Sequence, residues 1–127
     1  MASMMVLIAD DSVAMRDALT EIIEAEPDMR VVAAASADEA VEIAAAQRPA
    51  VAILDMHMPG NGAAAADRIP RVAPDTKLIV LTGDADALSE RDRDRLRLSD
   101  YLIKGVANAT IIAAIRRAAG SCSVVDA

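Results

Sequence analysis

Residues 50–62 read Ala50-Val51-Ala52-Ile53-Leu54-Asp55-Met56-His57-Met58-Pro59-Gly60-Asn61-Gly62. Ala50 to Leu54 is an unbroken apolar run of strand length, and a run without alternation is expected of a strand covered on both faces. It stops abruptly at Asp55, and the Pro, Gly and Asn that follow are turn formers. A carboxylate at the mouth of a buried strand is costly unless it has a task, so the reading of function starts there.

Similar runs flank this one and alternate with helical periods. Met5 to Ala9 predicts the first strand, and the helix after it puts Met15, Leu19, Ile22 and Ile23 on one face, starts at a cap from Ser12 or Asp11, and stops near Pro27. Arg30 to Ala35 predicts the second strand. Ser36 with Glu39 has capping-box spacing, and its helix presents Ala40, Ile43 and Ala44 before Pro49. The third helix starts in Ala63 to Ala66 and is expected to end or kink near Ile69, because Pro70 lacks a donor and crowds the preceding turn.

Lys77 to Leu81 supplies a fourth strand with Thr82 at its end. From Ala85 to Leu98 the pattern is weak: Glu90 to Arg95 is wholly charged, leaving Leu88, Leu96 and Leu98 as anchors, so this fourth helix is expected to be short or mobile. Tyr101 to Ile103 makes a fifth strand. Ile111, Ile112, Ile115, Ala118 and Ala119 give a last helix its apolar face before Gly120. Five βα units predict an α/β fold, a doubly wound parallel sheet with helices on both faces.

With 127 residues and 54% hydrophobic content, the chain fits one compact domain, expected over residues 5–120, with 1–4 a start remnant and 121–127 a frayed tail. Its core must be aliphatic, since Tyr101 is the only aromatic residue. A formal charge of -7 repels nucleic acid and anionic lipid, which argues against direct DNA binding by this segment. Cys122 is the only cysteine, so no internal disulfide can form, and no chemical role is expected of it. No run is long enough for a bilayer and the start does not resemble a signal peptide; the expected setting is cytoplasmic, without membrane attachment.

In an open parallel sheet, ligands bind beyond the carboxyl ends of the strands. Those ends carry Asp10 and Asp11, Asp55, Thr82, and Lys104. Clustered carboxylates repel one another and recruit a hard cation, and an oxygen-only set with open positions suits Mg2+, with Mn2+ as a substitute. Asp55 would act as a nucleophile toward a phosphoryl group, forming an acyl phosphate. Lys104 would pair with a phosphate oxygen, or beforehand with Asp55, and the Thr82 hydroxyl would donate to the phosphate after transfer. For His57, a hard cation prefers the backbone carbonyl to the imidazole, leaving the side chain at the rim. Taken singly, Asp11 reads as a helix cap, Asp55 as a turn residue, Thr82 as a strand-end hydroxyl and Lys104 as a solvated charge. Their joint fall at strand ends is what favours a site.

Ala9-Asp10-Asp11-Ser12, Leu54-Asp55-Met56-His57-Met58-Pro59-Gly60, Leu81-Thr82-Gly83 and Tyr101-Leu102-Ile103-Lys104 together resemble the receiver family of two-component signalling, over about the first 120 residues. The resemblance implies a flavodoxin-like (βα)5 sheet of order 2-1-3-4-5, with Asp55 as phosphoacceptor. It implies Mg2+ held directly by Asp11, Asp55 and the His57 carbonyl, with Asp10 acting through water. It also implies that Thr82 moves to the phosphate while Tyr101 turns inward, altering the face of the fourth helix, fifth strand and fifth helix. The implied phosphoryl donor is a sensor histidine kinase, and that face is where an output domain or dimer partner would engage.

Three positions depart from the family. Gly105 follows the lysine where the family usually has proline; a cis bond there would cost about 2.5–4 kcal/mol, so a trans bond and a looser loop are expected. Ala63 stands where glycine is usual, with Gly62 one place earlier, and the charged Glu90 to Arg95 run replaces an amphipathic pattern. Against the non-enzymatic switch stand two other readings, an interaction module with an impaired site and an aspartyl phosphatase. The intact acid, Thr82 and Lys104 set speaks against the first. Met56 and His57, where a second carboxylate would be needed, speak against the second.

Overall fold

The computed structural model describes residues 3–120, and Cys122 and the expected tail lie outside them. The order is β1 (Met4–Ala9), α1 (Val13–Glu24), β2 (Met29–Ala34), α2 (Ala37–Gln47), β3 (Val51–Leu54), α3 (Gly62–Val72), β4 (Lys77–Thr82), α4 (Glu90–Arg95), β5 (Asp100–Ile103) and α5 (Asn108–Gly120). All strand pairs are parallel, in the order β2-β1-β3-β4-β5. The doubly wound α/β sheet and its order are as expected. β1 begins one residue early because the Met4 N–H donates to the Asp28 carbonyl at 2.7 Å.

Successive side chains of a strand point to opposite faces, and here both faces are apolar. Leu7 and Ala9 of β1, Ala52 and Leu54 of β3, and Leu78 and Val80 of β4 pack under α2 and α3. Val6 and Ile8, Val51 and Ile53, and Ile79 and Leu81 pack under α1 and α5. That two-sided burial is why the central strands read as unbroken apolar runs. The first face is lined largely by alanines, among them Ala34, Ala37, Ala40, Ala44, Ala65 and Ala66, whereas Leu19, Ile23, Ile111 and Ile115 fill the second.

The helix starts follow their caps. Ser12, and not Asp11, caps α1 through the Met15 N–H, so the Asp11 carboxylate is left free of that task. At α2, Ser36 Oγ accepts from the Glu39 N–H at 3.2 Å and Glu39 Oε1 accepts from the Ala35 N–H at 2.6 Å. This is the expected reciprocal cap, reaching one residue further back than usual.

Of the expectation that α3 ends or kinks near Ile69, the end is corrected, because the helix runs through Pro70 to Val72. Pro70 falls in the last turn, where it forfeits one backbone bond, while the Ala73 N–H still donates to the Ile69 carbonyl at 2.8 Å and keeps the turn closed.

α4 is short, as expected: it spans Glu90–Arg95 with no buried residue, held at its ends by the buried Leu88 and Leu96. Its surface ion pairs, such as Arg95 to Asp67 at 2.8 Å, each contribute at most about 1 kcal/mol. Amide exchange in Glu90–Arg95 should therefore be much faster than in α1, whose Leu19 and Ile23 are buried. Equal protection of the two helices, measured by native-state hydrogen exchange, would refute this.

Candidate functional site

The carboxyl ends of β1, β3, β4 and β5 carry the polar residues, and the β2-β1-β3 order makes β1 and β3 neighbours whose connections leave on opposite faces. The strand ends therefore open a crevice between them. Carboxylate oxygens of Asp10, Asp11 and Asp55 lie within 4.8 Å of one another, with Asp10 and Asp55 buried and Asp11 exposed. Three acids this close need a cation, and Lys104 from the end of β5 supplies one. Its Nζ donates to Asp10 Oδ2 at 2.9 Å and to Asp55 Oδ2 at 3.3 Å.

Burial alone would drive the Lys104 ammonium toward neutrality. The hydrogen bond to Asp10 and the negative charges of Asp10 and Asp55 outweigh burial, and its pKa stands above the ordinary lysine value. One ammonium against three carboxylates leaves a net negative, oxygen-only cluster, a donor set that could hold a hard metal ion.

The second oxygens of Asp10 and Asp55 are also accounted for. Asp10 Oδ1 accepts from the Ser12 N–H at 2.9 Å and Asp55 Oδ1 from the His57 N–H at 3.2 Å. The Asp11 carboxylate alone makes no hydrogen bond or ion pair among the described residues. The His57 side chain is at the rim, as expected, 63% exposed, with Nε2 3.5 Å from Asp84 Oδ2.

Thr82 is fully buried at the end of β4, and its Oγ1 accepts a long bond from the Asp84 N–H at 3.4 Å. Tyr101 is half-buried: its hydroxyl donates to the carbonyls of Asp84 at 3.3 Å and Ala85 at 3.2 Å, and the Arg93 guanidinium lies 4.3 Å from its ring centre. The Lys104–Gly105 bond is trans, and Gly105 adopts φ +105°. A proline, locked near about -65°, could not follow that path, which accounts for the glycine.

Gly62 has a different reason to be glycine. A Cβ there would drive into the Asp55 carbonyl oxygen and lie 2.7 Å from Met56 Cα. The α3 entry packs directly against the strand end that carries Asp55, and Asn61 caps it through the Ala63 N–H at 2.7 Å.

Two residues at the site were not anticipated. Asp84 meets His57, Thr82 and Tyr101 through its carboxylate, N–H and carbonyl respectively. Arg16 donates from Nη1 to the Asp10 carbonyl at 2.7 Å. Neither has a sequence signal, since an Asp in a turn and an Arg on a helix are ordinary.

Compared with known families, residues 6–116 match the response regulator receiver domain. The chain belongs to that family. The receiver is similar to the DNA-binding transcriptional activator DevR/DosR of Mycobacterium tuberculosis, 28% identical over 95% of this chain and 57% of that protein. It is also similar to the oxygen regulatory protein NreC of Staphylococcus carnosus, 32% identical over 89% of this chain and 54% of that one. Among solved structures, the response regulator domain of Thermotoga maritima CheB superposes with a TM-score of 0.83 at 30% identity, covering 93% of this chain and 97% of that one. The receiver spans from 23% to 57% of the length of such curated relatives. Among the described residues no helix is long and apolar enough to cross a membrane.

Proposed function

We propose that this receiver is a phosphorylation-operated switch that takes a phosphoryl group on Asp55 from the phosphohistidine of a sensor kinase. The observation that carries this is the state of Asp55: 5% exposed, with one oxygen held by a backbone N–H and the other by Lys104. A buried carboxylate so oriented presents a fixed nucleophile, and phosphoryl transfer needs mostly alignment and charge neutralisation. An Asp55 oxygen attacks phosphorus, the bond from phosphorus to the donor nitrogen breaks, and its electron pair returns to the imidazole.

Asp10, Asp11, Asp55 and the His57 carbonyl would hold Mg2+, or Mn2+ in its place. Bound there, the ion would neutralise phosphate charge. Lys104, freed from Asp55 once that carboxylate becomes an acyl phosphate, follows the charge onto a phosphate oxygen. Thr82 exchanges its long bond with Asp84 for one to the phosphate. Tyr101 must then release two carbonyls and Arg93 to turn inward, which costs about 1–2.5 kcal/mol for one shared hydroxyl bond and one exposed cation–π contact. The outward state is thus favoured at rest by an amount that a phosphate contact can overturn.

The face of α4, β5 and α5 would pass the change to an output domain or a dimer partner. DNA binding, if it belongs to the whole protein, would come from a segment other than this acidic one, and the proposed setting is cytoplasmic. The proposed switch unit is residues 5–120.

Incubation with acetyl phosphate and Mg2+, followed by mass measurement of the intact protein, tests the reading. Stoichiometric gain of one phosphoryl group supports the switch. Continuous phosphate release would make it a phosphatase, and no gain would leave an interaction module.

Mg2+ alone should stabilise the fold by about 2.7 kcal/mol at a hundred times its dissociation constant. Asp11→Asn should abolish that shift while barely changing the metal-free melting temperature, since the Asp11 carboxylate holds nothing else in place. A melting curve indifferent to millimolar Mg2+ would remove the ion from the account.

A further inference from the structure

Arg16 lies in α1, half-buried beside the acid cluster, yet it pairs with none of the three carboxylates. Among the described residues it makes no ion pair, and its Nη1 donates to the backbone carbonyl of Asp10 at 2.7 Å. That carbonyl lies just beyond β1, where the sheet no longer takes it, and Arg16 is its partner. The Asp10 carboxylate is fixed separately, by the Ser12 N–H and by Lys104.

The peptide group joining Asp10 to Asp11 is therefore clamped at its oxygen by Arg16. This group sets the direction in which Asp11 leaves the chain. The Asp11 side chain, exposed and without a partner of its own, has no other restraint.

We infer that Arg16 is a positioning residue for the metal ligands, holding the Asp10–Asp11 peptide so that the Asp11 carboxylate faces Asp10 and Asp55. The inference rests on the reading of these acids as a Mg2+ site. A fixed guanidinium so near repels a divalent cation, so its charge works against the site, and only its hydrogen bond works in favour. The two contributions have opposite signs. Loss of the charge alone tightens Mg2+ binding, whereas loss of an outer partner that orients a ligand typically weakens it about 10–100-fold.

Titration calorimetry with Mg2+ on the wild type, Arg16→Met and Arg16→Lys separates these effects, with melting temperatures taken in a chelator. Arg16→Met should weaken binding about 10–100-fold with little change in metal-free melting, and Arg16→Lys, which keeps a donor of similar reach, should recover most of it. Unchanged or tighter binding in Arg16→Met overturns the inference. So does an equal loss in Arg16→Lys, or a large fall in metal-free melting, either of which would make Arg16 a general structural prop. Absence of Mg2+ binding by the wild type would instead defeat the site reading itself, and is told apart because it appears before any substitution.

Discussion

Asp55→Asn will fold, melt at or above the wild-type temperature without metal, and take up no phosphoryl group from acetyl phosphate and Mg2+. The single amide oxygen can still accept from the His57 N–H, while the NH2 that replaces the other oxygen cannot accept from Lys104, which keeps its bond to Asp10. One of the clustered negative charges disappears, which relieves repulsion with Asp10 and Asp11. What is lost is the anionic oxygen that attacks phosphorus, and no neighbouring group replaces it in kind: Met56 and His57 follow, and the other two acids sit on a different strand end. Intact-mass spectrometry reads the outcome directly. A full phosphoryl gain in Asp55→Asn would place the acceptor elsewhere.

Gly62→Ala is the second large effect, and it acts through space. The added methyl would meet the backbone of Asp55 and Met56, which cannot swing aside as the end of a flexible side chain can. Overpacking typically costs about 1–3 kcal/mol, and a backbone obstacle puts this substitution at or beyond the upper end. Relief requires α3 to retreat or the end of β3 to move, and the second displaces the Asp55 carboxylate from Lys104. Urea denaturation should show the loss of stability, and phosphorylation should slow. Wild-type stability would mean that α3 is free to shift. Gly105→Ala differs in kind, since open space surrounds Gly105 and only its positive φ resists a side chain.

The sheet was legible because both faces of β1, β3 and β4 are buried, and two-sided burial writes itself as unbroken apolar runs ending at polar residues. The place of the acids and Thr82 at strand ends was legible for the same reason, since a polar residue at the end of such a run stands out, whereas Lys104 follows β5, a strand only partly buried. An end of α3 before Pro70 was a misjudgement because position within a helix decides what a proline costs, and the last turn forgives it. The choice of Ser12 over Asp11 as cap was open in the sequence and is settled by the Met15 N–H.

The contacts of Arg16 and Asp84 were not legible at all. Each joins a side chain to a backbone carbonyl or to a residue of another loop, and such contacts leave neither a period nor a composition bias. The displaced glycine lies between these cases. Its shift to Gly62 was visible, but the reason, the nearness of the Asp55 carbonyl, appears only in three dimensions.

The alanine lining beneath α2 and α3 and the branched chains beneath α1 and α5 also set how this interior can drift. On the alanine side the small lining residues are almost wholly buried, so an inherited change that enlarges one of them overpacks the interior, and small side chains are locked in. On the other side isoleucine, leucine and valine can trade shape at nearly constant volume, and the damaging change is truncation. A lineage carrying this domain would therefore diversify its interior mainly on one side of the sheet.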